Sequence, residues 1–108
     1  MDNILEYLKQ RYTPVSIIVY GSYADGSNNL NSDFDALVIS ANHERYHDTS
    51  FVDGIQLDVF VYPRSFFSAD YNPEDFVQLT DGQIVMDSDG LGASVQQRAL
   101  SYASTKQN

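Results

Sequence analysis

Apolar residues come in short runs separated by longer polar segments. "VSIIVY" (15–20) and "FDALVIS" (34–40) are rich in β-branched residues and almost uninterrupted. Short runs of this kind predict strands covered on both faces. "IQLDVFVY" (55–62) repeats the pattern with one carboxylate, Asp58, inside it, and "QIVM" (83–86) predicts a smaller fourth strand. Helical spacing takes over at the two ends. Ile4, Leu5 and Leu8 share one face of a helix over 2–11, opened by Asp2 as a cap and closed before Pro14. Leu91, Val95, Ala99, Leu100 and Tyr102 follow the same spacing over 91–105.

The polar segments supply the connections. "GSYADGSNNLNS" (21–32) is turn chemistry, with one helical turn expected after Ser22. Residues 41–54 read as a polar, partly helical link that turns at Asp53-Gly54 into the third strand. Pro63 and Pro73 bracket a short helical or irregular region, and "DSDG" (87–90) closes the fourth strand. The expected order is helix, strand, loop, strand, strand, short helix, short strand, helix. That order predicts an α/β (α+β) fold, a small mixed sheet with helices packed on it. Strands 34–40 and 55–62 are expected to be antiparallel neighbours. The 108 residues fit one domain over 1–108, with the last helix either a terminal cap or the lead into a further domain. Most of the eight tyrosines and six phenylalanines are expected in the core or half-buried on the sheet, "YPRSFF" (62–67) included.

Composition narrows the class. Six Lys+Arg against fifteen Asp+Glu give a net charge of −9, which disfavours general nucleic-acid binding. The same charge suits a cationic partner or a site that holds metal ions, and it also keeps a protein soluble. No cysteine is present, which excludes disulfides and thiolate zinc sites. No apolar run approaches the ~20 residues of a membrane span. The N-terminus lacks the basic start and apolar stretch of a signal peptide, so a cytoplasmic location is expected.

The chemistry gathers in residues 21–35 and at Asp58. Side chains at i and i+2 of a strand share a face, so Asp33 and Asp35 project together, about 6–7 Å apart at Cα. Asp58 stands in an otherwise apolar run, where a lone carboxylate is costly to ionise. If the second and third strands are neighbours, Asp58 joins the pair. Three crowded carboxylates repel one another until a divalent cation turns repulsion into shared attraction. Oxygen donors without sulfur favour Mg²⁺ or Mn²⁺, and Mg²⁺ commonly arrives with substrate phosphates. Gly21 permits close backbone approach, and the following amides with the Ser22 hydroxyl suit phosphate oxygens. Arg64, just past the third strand, is a further candidate to reach a phosphate. A competing motif is "HERYH" (43–47), a match to H-E-x-x-H. On a helix His43 and His47 would share a zinc ion with Glu44 as general base. The segment is short and the chain has no third histidine, so a solvated connection is the favoured reading.

Gly21-Ser22, ten residues, Asp33-x-Asp35 and a later aspartate in an apolar strand together resemble the nucleotidyltransferase domain of the DNA polymerase β superfamily. Within it the chain is most similar to minimal nucleotidyltransferases and aminoglycoside-modifying enzymes. The likeness is strong over 15–62 and elsewhere rests on element order. It implies that a nucleoside monophosphate, AMP from ATP, passes to a hydroxyl of a small molecule or partner protein. It further implies that Asp33 and Asp35 bind both metals, that Asp58 binds the catalytic metal and helps deprotonate the acceptor, and that Gly21 and Ser22 hold the triphosphate. The resembling enzymes often carry an arginine after the Gly-Ser turn, whereas "YADGS" has no basic residue. The acceptor is expected to be a cationic small molecule or a partner protein. The alternative, from a different class, is a non-catalytic nucleotide- or partner-binding module of the same shape.

Overall fold

A computed structural model describes residues 1–106; the last two residues of the expected single domain lie outside the described residues. Helix α1 (Asp2–Tyr12) buries Ile4, Leu8 and Tyr12, a four-residue spacing that keeps all three on one stripe. Met1, not Asp2, is the cap; Asp2 lies in the first turn, where its charge suits the helix dipole. Strand β1 (Pro14–Tyr20) follows, then a four-residue helix α2 (Ser22–Asp25) and strand β2 (Phe34–Ser40). Two short strands, β3 (Tyr46–Asp48) and β4 (Phe51–Val52), precede the long strand β5 (Ile55–Pro63). Short 3₁₀ segments at Arg64–Phe67 and Pro73–Asp81 lead to β6 (Gln83–Asp87) and helix α3 (Leu91–Lys106).

The six strands form one mixed sheet in the order β3-β5-β2-β1-β6, with β4 also on β5. β1 is antiparallel to both β2 and β6. The expectation that strands 34–40 and 55–62 are antiparallel is wrong: β2 and β5 are neighbours, but parallel. The link between them is not partly helical either. It reverses twice, once into β3, which runs antiparallel along the far edge of β5, and once at the hairpin from β4 into β5. Asp53 and Gly54 make that second reversal, both with positive φ (53° and 76°), as a two-residue hairpin turn requires. The Asp-Gly signal was therefore correct for a turn into the third strand, but the strand it joins is β4.

Alternation along the strands splits the core over two faces. Ile17, Val19, Phe34, Ala36, Val38, Leu57, Val59 and Val61 pack under α1. Ile18, Leu37, Ile39 and Tyr62 pack against Phe76, Leu79, Val95 and Ala99 of the second 3₁₀ segment and α3. Phe66 and Phe67 of "YPRSFF" join this second layer, with ring centroids 4.8 and 5.7 Å from Tyr62, and so serve packing. The "DSDG" stretch caps α3: Asp87 accepts from the Gly92 and Ala93 amides at 2.9 and 3.0 Å, and Asp89 from the Leu91 amide at 3.1 Å. Among the described residues no helix is long and apolar enough to cross a membrane.

Candidate active site

The second face of the sheet carries the acids. Phe34 and Ala36 point under α1, so Asp35, between them, must point the other way. On β5 Leu57 and Val59 do the same to Asp58. Parallel register then sets Asp35 directly opposite Asp58. Tyr20, the last residue of β1, is the partner of Asp35 on its other side, so Gly21 leaves the sheet beside this carboxylate. Asp33 lies just before β2 and is exposed.

Gly21 adopts φ 71° and ψ −152°, a region open essentially to glycine alone. A Cβ built there would stand 2.4 Å from Asp35 Oδ2. Gly21 thus brings bare backbone against the carboxylate. The Ala24 and Asp25 amides bond back to the Gly21 carbonyl at 3.0 and 3.4 Å, which closes α2 and leaves the Ser22 and Tyr23 amides at its open end. The rest of the loop holds itself. Asp25 accepts from the Ser27 amide and hydroxyl at 2.9 and 2.6 Å, and Ser32 Oγ accepts from the Asn29 amide at 2.9 Å. Gly21→Ala is expected to cost about 2–3 kcal/mol of stability, from backbone strain and the clash with Asp35. Urea unfolding measures it, and an unchanged midpoint would mean that the carboxylate moves aside freely.

The acids are electrostatically crowded. Burial, then the charge and hydrogen bonding of Asp58, then the charge of Asp33 push the Asp35 carboxyl up to about 6. Burial and the same two carboxylates, Asp35 and Asp58, also push the Tyr20 phenol up. Asp58 in turn meets His47, whose Nε2 lies 2.5 Å from Asp58 Oδ1. Asp35 and Asp58 are therefore brought together as expected, while Asp33 influences them from the rim. Among the described residues no three acid or histidine side chains converge at cation-holding spacing. Two clefts flank the acids. One of about 230 Å³ is lined by Asp33 with Leu30, Phe51 and Gln56 among others, and one of about 280 Å³ by Arg45, His47, Phe60 and Tyr62 among others.

Two lesser candidates from the sequence, the disfavoured zinc motif and Arg64, do not hold. The "HERYH" segment is not a helix, so its histidines do not share a face. His43 packs edge-on to Tyr12 at 4.9 Å, beside α1, whereas His47 stacks on Phe60 across the sheet. A zinc site through His43, Glu44 and His47 is thereby ruled out. Arg64 pairs with Asp89 at 2.6 Å instead of facing the acids. Two other residues escaped sequence reasoning. One is His47 as the partner of Asp58. The other is Asp48, fully buried, which accepts from Tyr12 Oη at 2.5 Å, Tyr7 Oη at 2.8 Å and the Ser50 amide at 2.9 Å. Alternation within Tyr46-His47-Asp48 was the available signal, once the segment is taken as a strand.

Comparison with known proteins agrees with this fold. A crystal structure described as a toxin-antitoxin with AMP-PNP superimposes with a TM-score of 0.59 at 16% identity, covering 98% of this chain and 88% of that one. At that identity the likeness speaks for the fold. No curated protein matches the sequence. The family model for the nucleotidyltransferase domain matches residues 1–87, a span that takes in the Gly21-Ser22 turn and both facing carboxylates. Because that model spans most of its length, the chain belongs to the nucleotidyltransferase domain family and is a transferase.

Proposed function

We propose that the protein moves AMP from ATP to a hydroxyl, with Asp33, Asp35 and Asp58 as the catalytic carboxylates and Mg²⁺ or Mn²⁺ as cofactor. The observation that carries this reading is the register of β2 and β5, which faces Asp35 to Asp58 beside the bare backbone of Gly21. The donor set fits a hard divalent cation. It offers carboxylate oxygens without sulfur, and the crowding that raises Asp35 to about 6 is what a cation relieves. When bound, such ions neutralise charge on the phosphates and make the acceptor hydroxyl easier to deprotonate.

The residues of the chain supply the remaining parts. The Ser22 hydroxyl and the amides at the open end of α2 hold triphosphate oxygens, next to Asp35. Asp58 receives the proton of the acceptor hydroxyl as its oxygen bonds to the α-phosphorus and pyrophosphate leaves. With no basic residue in the Gly-Ser turn, triphosphate charge falls to the cations and to backbone N–H groups. ATP as donor is supported by the similar fold solved with AMP-PNP. A net charge of −9 supports a cationic small molecule or a basic surface of a partner protein as acceptor.

The exposed, outlying position of Asp33 favours a second reading, a nucleotide- or partner-binding module without turnover. Pyrophosphate release from ATP separates the two. We expect release that depends on Mg²⁺, stops with EDTA and rises with a suitable hydroxyl acceptor. ATP binding without release under any of these conditions would establish the binding module instead.

A further inference from the structure

We infer that His47 is a positioning residue for Asp58, holding one of its carboxylate oxygens so that the group faces Asp35 and the acceptor. The inference rests on the role proposed above for Asp58. His47 Nε2 lies 2.5 Å from Asp58 Oδ1, and a carboxylate oxygen only accepts, so Nε2 carries the hydrogen. The imidazole is itself held. It stacks on Phe60 with centroids 4.1 Å apart and planes 6° from parallel. Phe60 is its register partner on β5, and Asp58 lies two residues earlier on the same face.

The three-residue strand β3 delivers His47 to this place. A strand so short has little pairing of its own to fix its register. Asp48 fixes it from the other side of the sheet, locked beneath α1 by the Tyr7 and Tyr12 hydroxyls. With Asp48 on one face, alternation puts His47 on the other. Asp58 needs such a partner. It is 39% exposed and stands opposite another carboxylate, so repulsion would turn it out toward water. A donor on its outer side keeps it in place without competing for the side nearer Asp35.

Three variants test the inference through pyrophosphate release from Mg-ATP and through Mn²⁺ binding followed by electron paramagnetic resonance. His47→Phe keeps the stack on Phe60 but removes the donor, and is expected to lower kcat and Mn²⁺ affinity by about 10–100-fold with KM for ATP nearly unchanged. His47→Gln restores an N–H donor and is expected to recover most of that loss. Thermal melting of both should match the parent, because the side chain is half exposed. Wild-type kcat and Mn²⁺ affinity in His47→Phe, with Asp58→Asn inactive, would overturn the role of His47 alone. Equal impairment in His47→Gln and His47→Phe would overturn it as well, since the donor would not be what matters. Full turnover in Asp58→Asn would instead overturn the underlying role of Asp58.

Discussion

Asp35→Asn is expected to reduce nucleotidyl transfer by at least about 10³-fold while leaving the chain folded and slightly more stable at neutral pH. Loss of activity follows from its place: it faces Asp58, touches the Gly21 backbone and is proposed to ligate the cations. The gain in stability follows from burial and from the charges of Asp58 and Asp33, which raise its carboxyl to about 6. An acid raised above its unfolded value near 3.9 keeps its proton longer in the folded chain. Between about pH 4 and 6 the folded state binds more protons than the unfolded one, so stability falls as pH rises through that window. Asparagine carries no charge and removes the penalty, worth about 1 kcal/mol at pH 7.5 after allowance for solvent screening. Urea midpoints at pH 4 and pH 7.5 read the difference between variant and parent. A variant that keeps normal turnover, or that unfolds more easily at pH 7.5, contradicts this account.

Asp48→Ala is expected to have the largest effect on stability, a loss of about 3–4 kcal/mol. Burial alone would raise this carboxyl, but hydrogen bonds from Tyr12, from Ser50 and from Tyr7 outweigh it and hold it below its usual range. Truncation leaves the buried Tyr12 hydroxyl without its acceptor and removes the tie between α1 and β3. Asp48→Asn, which keeps one acceptor oxygen, should lose about half as much. The pH dependence runs opposite to that of Asp35. A depressed carboxyl contributes stability that is present above the unfolded value near 3.9 and is lost as pH falls through its folded value. Together the two groups set a stability maximum near pH 4, flanked by an acid limb that Asp48→Asn flattens and a limb falling from about pH 4 to 6 that Asp35→Asn flattens. Denaturant titrations at a series of pH values resolve both limbs.

Much of the fold was legible because its strongest signals are local. "VSIIVY" and "FDALVIS" are buried on both faces and read as such, and the first helix shows its four-residue spacing plainly, whereas the last buries Val95 and Ala99 but leaves Leu100 exposed. The acids were legible for a related reason: Asp58 in an apolar run has no packing explanation, and Asp35 follows Asp33 by one strand repeat. Strand direction was not legible. It depends on the number of reversals within 41–54, and "YHD" and "FV" are too short and too polar to announce themselves as strands. "HERYH" describes spacing along a helix, and here only its Tyr46-His47 end joins a strand, while His43 lies in the irregular stretch before it and packs on Tyr12. Asp48 was invisible because a buried carboxylate among hydroxyl donors looks, in sequence, like any other acid in a loop.

The parallel pairing of β2 and β5 has a consequence for how the molecule forms. Hairpin partners can meet early, but parallel strands meet only after the intervening chain has closed a crossover, here with β3 and β4 within it. Asp35 and Asp58 thus meet only when that crossover closes, and their mutual repulsion opposes this step. The facing pair proposed as the catalytic centre is therefore a product of the tertiary fold and of no local segment.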